Sequence, residues 1–85
     1  MSKHFRELQR QIGQRIRTAR LAAGLTQDQL GERIGVVGQQ IQKYESGENG
    51  ITAGRLHLLC HALGTRPDWL LATDLDPKSL EKASQ

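Results

Sequence analysis

The sequence predicts a small all-α domain of five helices, in which the second and third helices form a steep, compact pair. Apolar residues recur at the three- and four-residue spacing of amphipathic helices. Glycines stand where these periodic segments end, which is typical of helix C-termini. Aromatic residues make up only 4% of the 85 residues, too few to favour a sandwich or barrel. This length predicts a single domain.

The first helix is predicted from an apolar face that runs through the N-terminal quarter of the chain. Its members are Phe5, Leu8, Ile12, Ile16, Ala19 and Ala23. Gly13 interrupts this helix at a cost of about 1 kcal/mol relative to alanine, so we expect the segment before it to fray or bend away. Gly24 ends the helix, because glycine adopts positive φ without strain.

The second helix is predicted from Thr26 to Ile34. Thr26 and Gln29 have the spacing of a capping box, in which each side chain bonds the other residue's backbone N–H. Asp28 in the first turn suits the positive end of the helix dipole. Gly35 makes the turn that follows.

The third helix is predicted from Val37 to Ser46 and ends at Gly47. No residue at its start can supply a side-chain cap. Because the turn at Gly35 is so short, the second and third helices cannot lie antiparallel and must cross steeply, as in a helix-turn-helix. The third helix then shows solvent a face that has amides and one cation but no carboxylate: Gly38, Gln39, Gln42 and Lys43.

Two further helices complete the prediction. Thr52 caps the fourth helix, which Gly64 terminates, and its apolar positions are Leu56, Leu59, Cys60 and Leu63. Thr65 is expected to cap a short fifth helix that runs through Leu71. After Thr73 the chain is polar, with one more helical turn conceivable at Asp76-Pro77.

The charge is unevenly distributed along the chain. The formal net charge is +3, but residues 1–43 hold eight basic against three acidic residues, and residues 44–85 hold four against six. A basic N-terminal half is the electrostatic footprint expected of a nucleic-acid binder. The same pattern also occurs on ordinary solvated helix faces, so charge alone does not decide the function.

Several classes of protein are disfavoured. No apolar run suggests a transmembrane helix or signal peptide, and the lone Cys60 predicts a reduced core thiol in a cytosolic protein. His57 and His61 share a helix face, but no third ligand is near, so no metal is predicted. We see no nucleophile–base–acid set and no phosphate-binding loop. We therefore expect no enzyme, no cofactor, no membrane partner and no small-molecule ligand.

Many spaced residues resemble, in register, the lambda-repressor-like helix-turn-helix domain of phage repressors, Cro proteins and Xre-type regulators. The matching positions are Ile16-Arg17, Arg20, Gly24-Leu25-Thr26-Gln27, Leu30, Ile34-Gly35-Val36, Ile41, Tyr44-Glu45-Ser46-Gly47, Leu56, Ala62-Leu63-Gly64 and Asp68-Trp69-Leu70-Leu71. The resemblance predicts a DNA-binding domain at residues 10–72. Residues 1–9 then extend the first helix, and residues 73–85 form a polar tail.

The resemblance implies that the third helix lies in the DNA major groove. Its base-contacting residues would be Val37, Gly38, Gln39, Gln42 and Lys43. Gln39 is the best single candidate, because a glutamine can bond adenine N6 and N7 together. Family members usually place a polar residue near Val37 and a side chain at Gly38. Gly38 therefore removes one reader or lets the backbone come closer, which favours partly indirect readout.

The resemblance also implies roles for residues outside the third helix. The expected phosphate contacts are Thr26, Gln27, Asn49 and Arg55. The expected internal salt bridge joins Arg20 to Glu45. A dimer interface is expected to involve Arg66, Pro67, Leu70 and Leu71, with Leu75 or Leu80 as further candidates.

Together with the resemblance, these observations predict a transcriptional regulator, and in particular a repressor, that binds a palindromic operator in double-stranded DNA as a homodimer. The alternative is the antitoxin half of a toxin–antitoxin pair, in which the tail would bind a protein partner and the domain would autoregulate its operon. A third alternative is a protein-interaction module that has lost DNA binding, for which Gly38 and the uncapped third helix are the support.

Overall fold

The computed structural model describes residues 3–73 and confirms the all-α prediction, with five helices and no strand in that range. The helices are α1 (Lys3–Ala22), α2 (Gln27–Ile34), α3 (Gly38–Ser46), α4 (Ala53–Leu63) and α5 (Pro67–Leu70). Between residues 3 and 73, none of the helices is long and apolar enough to cross a membrane. The predicted turn at Asp76-Pro77, Leu75, Leu80 and the tail beyond Thr73 lie outside the described residues.

Gly13 does not break α1, and the expected fraying of the segment before it is wrong: α1 is one continuous helix of 20 residues. Gly13 is buried where α1 approaches α3 most closely. A Cβ there would collide with the carbonyl oxygen of Tyr44 and lie 2.5 Å from that of Glu45. Glycine is thus required here for close packing, and the packing compensates for its low helix propensity.

The helix termini of α1, α2 and α4 follow the sequence prediction. Thr26 Oγ1 accepts a hydrogen bond from the Gln29 N–H at 3.0 Å, and Gln29 Oε1 accepts one from the Thr26 N–H at 2.9 Å. The predicted capping box is therefore confirmed. Thr52 Oγ1 caps α4 through the Arg55 N–H at 3.2 Å. Gly24 has a φ of 72°, as expected of a residue that ends a helix.

The predicted cap of α5 is wrong. The N-cap residue is Arg66 rather than Thr65, and it makes no side-chain capping bond. Pro67 occupies the first turn, where its fixed φ favours a helix start one residue later than the Thr65 pattern suggests. Within residues 3–73, Thr65 Oγ1 is the one buried side-chain polar atom without a hydrogen-bond partner.

All five helices contribute to one core. Each supplies one fully buried aliphatic side chain: Ile16, Leu30, Ile41, Leu59 and Leu70. Cys60 is buried beside them as a free thiol, as predicted. Ala23, predicted on the apolar face of α1, is instead exposed and lies one residue beyond the end of α1 at Ala22.

The α2–α3 pair is held together by two glycines. Gly35 adopts a φ of 77°, which ends α2 in the left-handed conformation. Gly31 is buried against the next turn of chain, and a Cβ there would collide with the Val36 carbonyl oxygen and lie 3.2 Å from the Gly38 nitrogen. These glycines let two short helices pack with almost no connecting chain, which fixes α3 relative to the rest of the core.

Candidate nucleic-acid interface

The outer face of α3 carries three of the predicted base-contacting side chains. Gln39 and Gln42 are exposed, and Lys43 is half-buried. Val37, the N-cap residue, is 68% exposed although it is aliphatic. Ile41 and Tyr44 point into the core and anchor the helix. The arrangement offers amide donors and acceptors, one cation and one apolar group to a polar partner.

Gly38 does not belong to the exposed face predicted from the sequence. It is buried, because the side chain of Asp28 lies directly against it. A Cβ on Gly38 would collide with Asp28 Oδ1 and lie 3.0 Å from Asp28 Cγ. Helical periodicity placed Gly38 on the outer face but could not reveal that α2 covers the first residue of α3.

The salt-bridge residues Arg20 and Glu45 meet beneath α3. Arg20 Nε donates to Glu45 Oε2 at 2.6 Å and Arg20 Nη2 donates to Glu45 Oε1 at 3.2 Å. Their side chains are only 9% and 5% exposed. Arg20 Nη1 also donates to the carbonyl oxygen of Leu25 at 2.8 Å. The bidentate pair thus links α1, the start of α2 and the C-terminal turn of α3.

Gln27 is tied to the same carboxylate. Its Nε2 donates to Glu45 Oε1 at 3.1 Å, and its side chain is partly buried. Thr26, one residue earlier, uses its hydroxyl oxygen in the capping box. Both residues lie at the N-terminus of α2, where backbone N–H groups favour an anion. The sequence predicted that both residues lie at the start of α2, but it did not predict the hydrogen bond from Gln27 to Glu45.

The two other predicted phosphate contacts flank α3 on the side of α4. Arg55 Nη1 donates to the Tyr44 hydroxyl at 3.0 Å, which holds the guanidinium close to α3. Asn49 is half-buried in the loop after α3, and its N–H donates to the Lys43 carbonyl oxygen at 3.3 Å. It also lines an apolar cavity of about 200 Å³ beneath the N-terminal half of α1.

The predicted dimer residues divide into two groups. Leu70 is fully buried in the core, so its inclusion in a dimer surface is wrong for the folded chain. Arg66, Pro67 and Leu71 are exposed, and Arg66 Nε pairs with Asp68 Oδ1 at 3.1 Å. The four-residue helix α5 has only one side facing the core, and the sequence did not reveal which leucine it would bury.

Besides the bond from Gln27 to Glu45, two further contacts that position the helices were not predicted from the sequence. The guanidinium of Arg15 lies over the ring of Trp69, 4.9 Å from its centroid, and this cation–π contact joins α1 to α5. The other is the contact of Asp28 with Gly38. A glycine at the first position of α3 was the one available signal for it.

Metal binding finds no support in the described part of the chain. Between residues 3 and 73, no three His, Cys, Asp or Glu residues come together in a way that could hold an ion. His57 and His61 are exposed on α4. The polar side chains that contact one another across helices lie around α3 and the N-terminus of α2.

Comparison with known proteins gives related sequences and folds. An HTH-type transcriptional regulator of Sinorhizobium fredii is 42% identical over 73 residues, which cover 86% of this chain and 51% of the relative. One from Rickettsia prowazekii is 50% identical over 58 residues, covering 68% of this chain and 45% of the relative. The chain thus spans about half the length of these relatives.

Two solved structures share the fold. The P22 c2 repressor, crystallised with a synthetic operator, superposes with a TM-score of 0.69 at 35% identity, covering 74% of this chain and 96% of that one. The restriction-modification controller protein C.AhdI of Aeromonas hydrophila gives a TM-score of 0.68 at 30% identity, covering 72% and 92%. The helix-turn-helix family model matches residues 16–70. With its α2–α3 pair and five-helix core, this chain belongs to the lambda-repressor-like helix-turn-helix family.

Proposed function

We propose that this chain is a sequence-specific double-stranded DNA-binding protein that acts as a transcriptional regulator. The main supporting observation is the outer face of α3, where Gln39 and Gln42 are exposed and Lys43 is half-buried, on a helix fixed by a buried salt bridge. A rigid helix with exposed amides and a cation suits the major groove, whose base edges present donors and acceptors. The likeness to the operator-bound P22 c2 repressor supports this function.

In this proposal the side chains of α3 divide the work of recognition. Gln39, in the first turn, reads an adenine through N6 and N7. Gln42 and Lys43 lie one turn later and contact a base or a phosphate. Val37 is an exposed aliphatic group at the start of α3, suited to contact with a thymine methyl group. Gly38 contributes at most its backbone, since its Cα is covered by Asp28.

Phosphate contacts would fix the register of α3 in the groove without reading sequence. Thr26 and Gln27 begin α2, where the helix dipole and the backbone N–H groups outside the capping box favour a phosphate. Arg55 carries a cation held against Tyr44, and Asn49 supplies an amide. The phosphate contacts would thus come from the start of α2, the loop after α3 and the start of α4.

The proposed assembly on DNA is a homodimer on a palindromic operator, acting as a repressor. Two recognition helices that enter the groove on one face of the duplex read half-sites about one helical turn apart, roughly 34 Å. Pro67 begins α5 and Leu71 follows its last residue. Both are exposed and offer an apolar contact between two copies of the chain. This role needs no catalytic group and no cofactor.

A binding selection from random duplexes tests the function directly. The expected result is an enriched palindrome and an affinity that falls steeply with salt concentration, because binding releases counterions from the phosphates. Equal binding to all sequences, or a slope near zero, would refute a sequence-specific regulator. Sedimentation with and without the selected duplex tests the assembly, and a strict monomer on the duplex would refute the homodimer.

A further inference from the structure

The contact between Asp28 and Gly38 places a carboxylate at the start of α3. Asp28 belongs to the first turn of α2, yet a Cβ on Gly38 would collide with its Oδ1 and lie 3.0 Å from both its Cγ and its backbone nitrogen. Any side chain at Gly38 would therefore compete with Asp28 for the same space. Asp28 itself remains exposed to solvent.

The side chain of Asp28 on α2 thus occupies the space that a side chain on the first residue of α3 would need. The first position of α3 has no side chain of its own, and the neighbouring helix fills that volume with an acid. Since α3 has neither a side-chain cap nor an acidic residue in its first turn, Asp28 also supplies the negative charge that suits the positive end of its dipole. The helix dipole of α3 therefore stabilises the carboxylate of Asp28 in this position.

A carboxylate at the start of α3 can contact only a few groups of the DNA favourably. It repels phosphate oxygens, and it repels the acceptors that guanine and thymine present in the major groove. Two bases present an amino donor in the major groove, but that of adenine lies beside the N7 acceptor, so the N4 amino group of cytosine is the donor that aspartate pairs with. Gln39 follows Gly38 in the chain, so a base that Asp28 reaches lies next to the one assigned to Gln39.

We propose that Asp28, a residue of α2, is a base-reading residue that selects cytosine next to the base pair assigned to Gln39 in each half-site, in place of the missing side chain of Gly38. This rests on the proposed DNA-binding function. It makes the recognition surface a product of both helices, with amides from α3 and one acid from α2. The acid acts by attraction to cytosine and by exclusion of guanine and thymine.

A purely structural role for Asp28 predicts a different result. If the carboxylate only complements the α3 dipole, its removal weakens binding to every sequence by one common factor. If it reads a base, its removal changes the preference at one base pair per half-site and leaves the other positions unchanged. The pattern of base preference therefore separates the two roles, whereas total affinity does not.

The test is a binding selection run in parallel on the wild-type chain and on Asp28→Ala, Asp28→Asn and Glu32→Ala. Wild type is expected to prefer cytosine by about five-fold or more at one position next to the Gln39 contact. Asp28→Ala should lose that preference alone, and Asp28→Asn should move it to adenine, which asparagine bonds through N6 and N7. Glu32→Ala removes an exposed carboxylate from the same helix and should leave every preference unchanged.

Each outcome decides the question. A wild-type selection without any enriched sequence refutes the DNA-binding function itself. An enriched operator that Asp28→Ala still reads as wild type does, or an equal loss of affinity for all sequences, refutes base reading by Asp28 while the function stands. Asp28→Asn keeps the size of the side chain, so a changed preference in this variant, with an unchanged thermal unfolding midpoint, cannot be ascribed to misfolding.

Discussion

Arg20 holds both carboxylate oxygens of Glu45 across 25 residues of chain, at 2.6 and 3.2 Å. Because Gln27 donates to the same carboxylate at 3.1 Å, one buried acid joins the end of α1, the start of α2 and the end of α3. The orientation of α3 therefore depends on a buried ion pair whose side chains are only 9% and 5% exposed.

Arg20→Ala should destabilise the domain by about 3–5 kcal/mol, because Glu45 would remain buried without its cation. Urea unfolding followed by the fluorescence of Trp69 measures the change. Arg66→Ala is the matched control, since the Arg66–Asp68 pair is 85% and 72% exposed and should contribute less than about 1 kcal/mol. Equal effects of the two substitutions would contradict a structural role for the buried pair.

Gly13→Ala should destabilise the domain although alanine favours a helix by about 1 kcal/mol. The added Cβ would collide with the Tyr44 carbonyl oxygen, and overpacking of this kind costs about 1–3 kcal/mol. Gly54→Ala is the control, because its Cβ meets nothing within 4 Å and should stabilise α4. Thermal unfolding midpoints that rise for both variants would show that α1 and α3 pack less closely than described.

Gln39→Ala should relax the preference at one base pair per half-site by about 1–3 kcal/mol, the discrimination carried by a bidentate amide–adenine pair. Competition binding with operators altered one base pair at a time measures it. Gln14→Ala, an exposed glutamine on α1, should leave selectivity unchanged. Selectivity that survives Gln39→Ala intact would assign the reading to Gln42 or Lys43 instead.

Arg55→Ala should weaken binding to all sequences alike and lower the salt slope by about one, the mark of a lost phosphate contact. Tyr44→Phe removes the same hydrogen bond, between Arg55 Nη1 and the Tyr44 hydroxyl, but keeps the cation. Its slope should match that of the wild type. A slope that falls equally in both variants would mean that Arg55 neutralises a phosphate only when the Tyr44 hydroxyl holds its guanidinium in place.

Glu7 should titrate well below an ordinary carboxyl. The side-chain hydrogen bonds from Arg10, and secondarily from Gln11, lower the pKa of Glu7 from 4.5 to about 2. The stabilising effect of this depressed pKa is fully present above pH 4.5 and is lost as the pH falls towards 2. A carboxyl-carbon NMR titration measures it. Arg10→Ala should return the pKa of Glu7 towards 4.5, and Gln11→Ala should raise it less; an unchanged pKa in Arg10→Ala would contradict the assigned cause.

The sequence by itself determined the five helices and most of their ends, the start of α5 being the exception. Local chemistry decides these features: the reciprocal bonds of Thr26 and Gln29, the positive φ of Gly24, Gly35, Gly47 and Gly64, and the spacing of the apolar residues. Each depends on a few neighbouring residues, so it can be read without the fold. The same holds for the exposed amides at Gln39 and Gln42, which follow from periodicity once α3 is known.

Only the tertiary structure decided which groups approach one another across the chain. The sequence suggested that Gly13 interrupts α1, whereas the structure shows that it allows α3 to pack closely against α1. Leu70 was predicted in a dimer surface, whereas the structure buries it in the core. Gly38 looked exposed until Asp28 covered it. These outcomes depend on distances between helices that no local propensity encodes, because packing is set by the shapes of both partners. The placement of Asp28 at the start of α3 is the consequence of such packing that bears most directly on function.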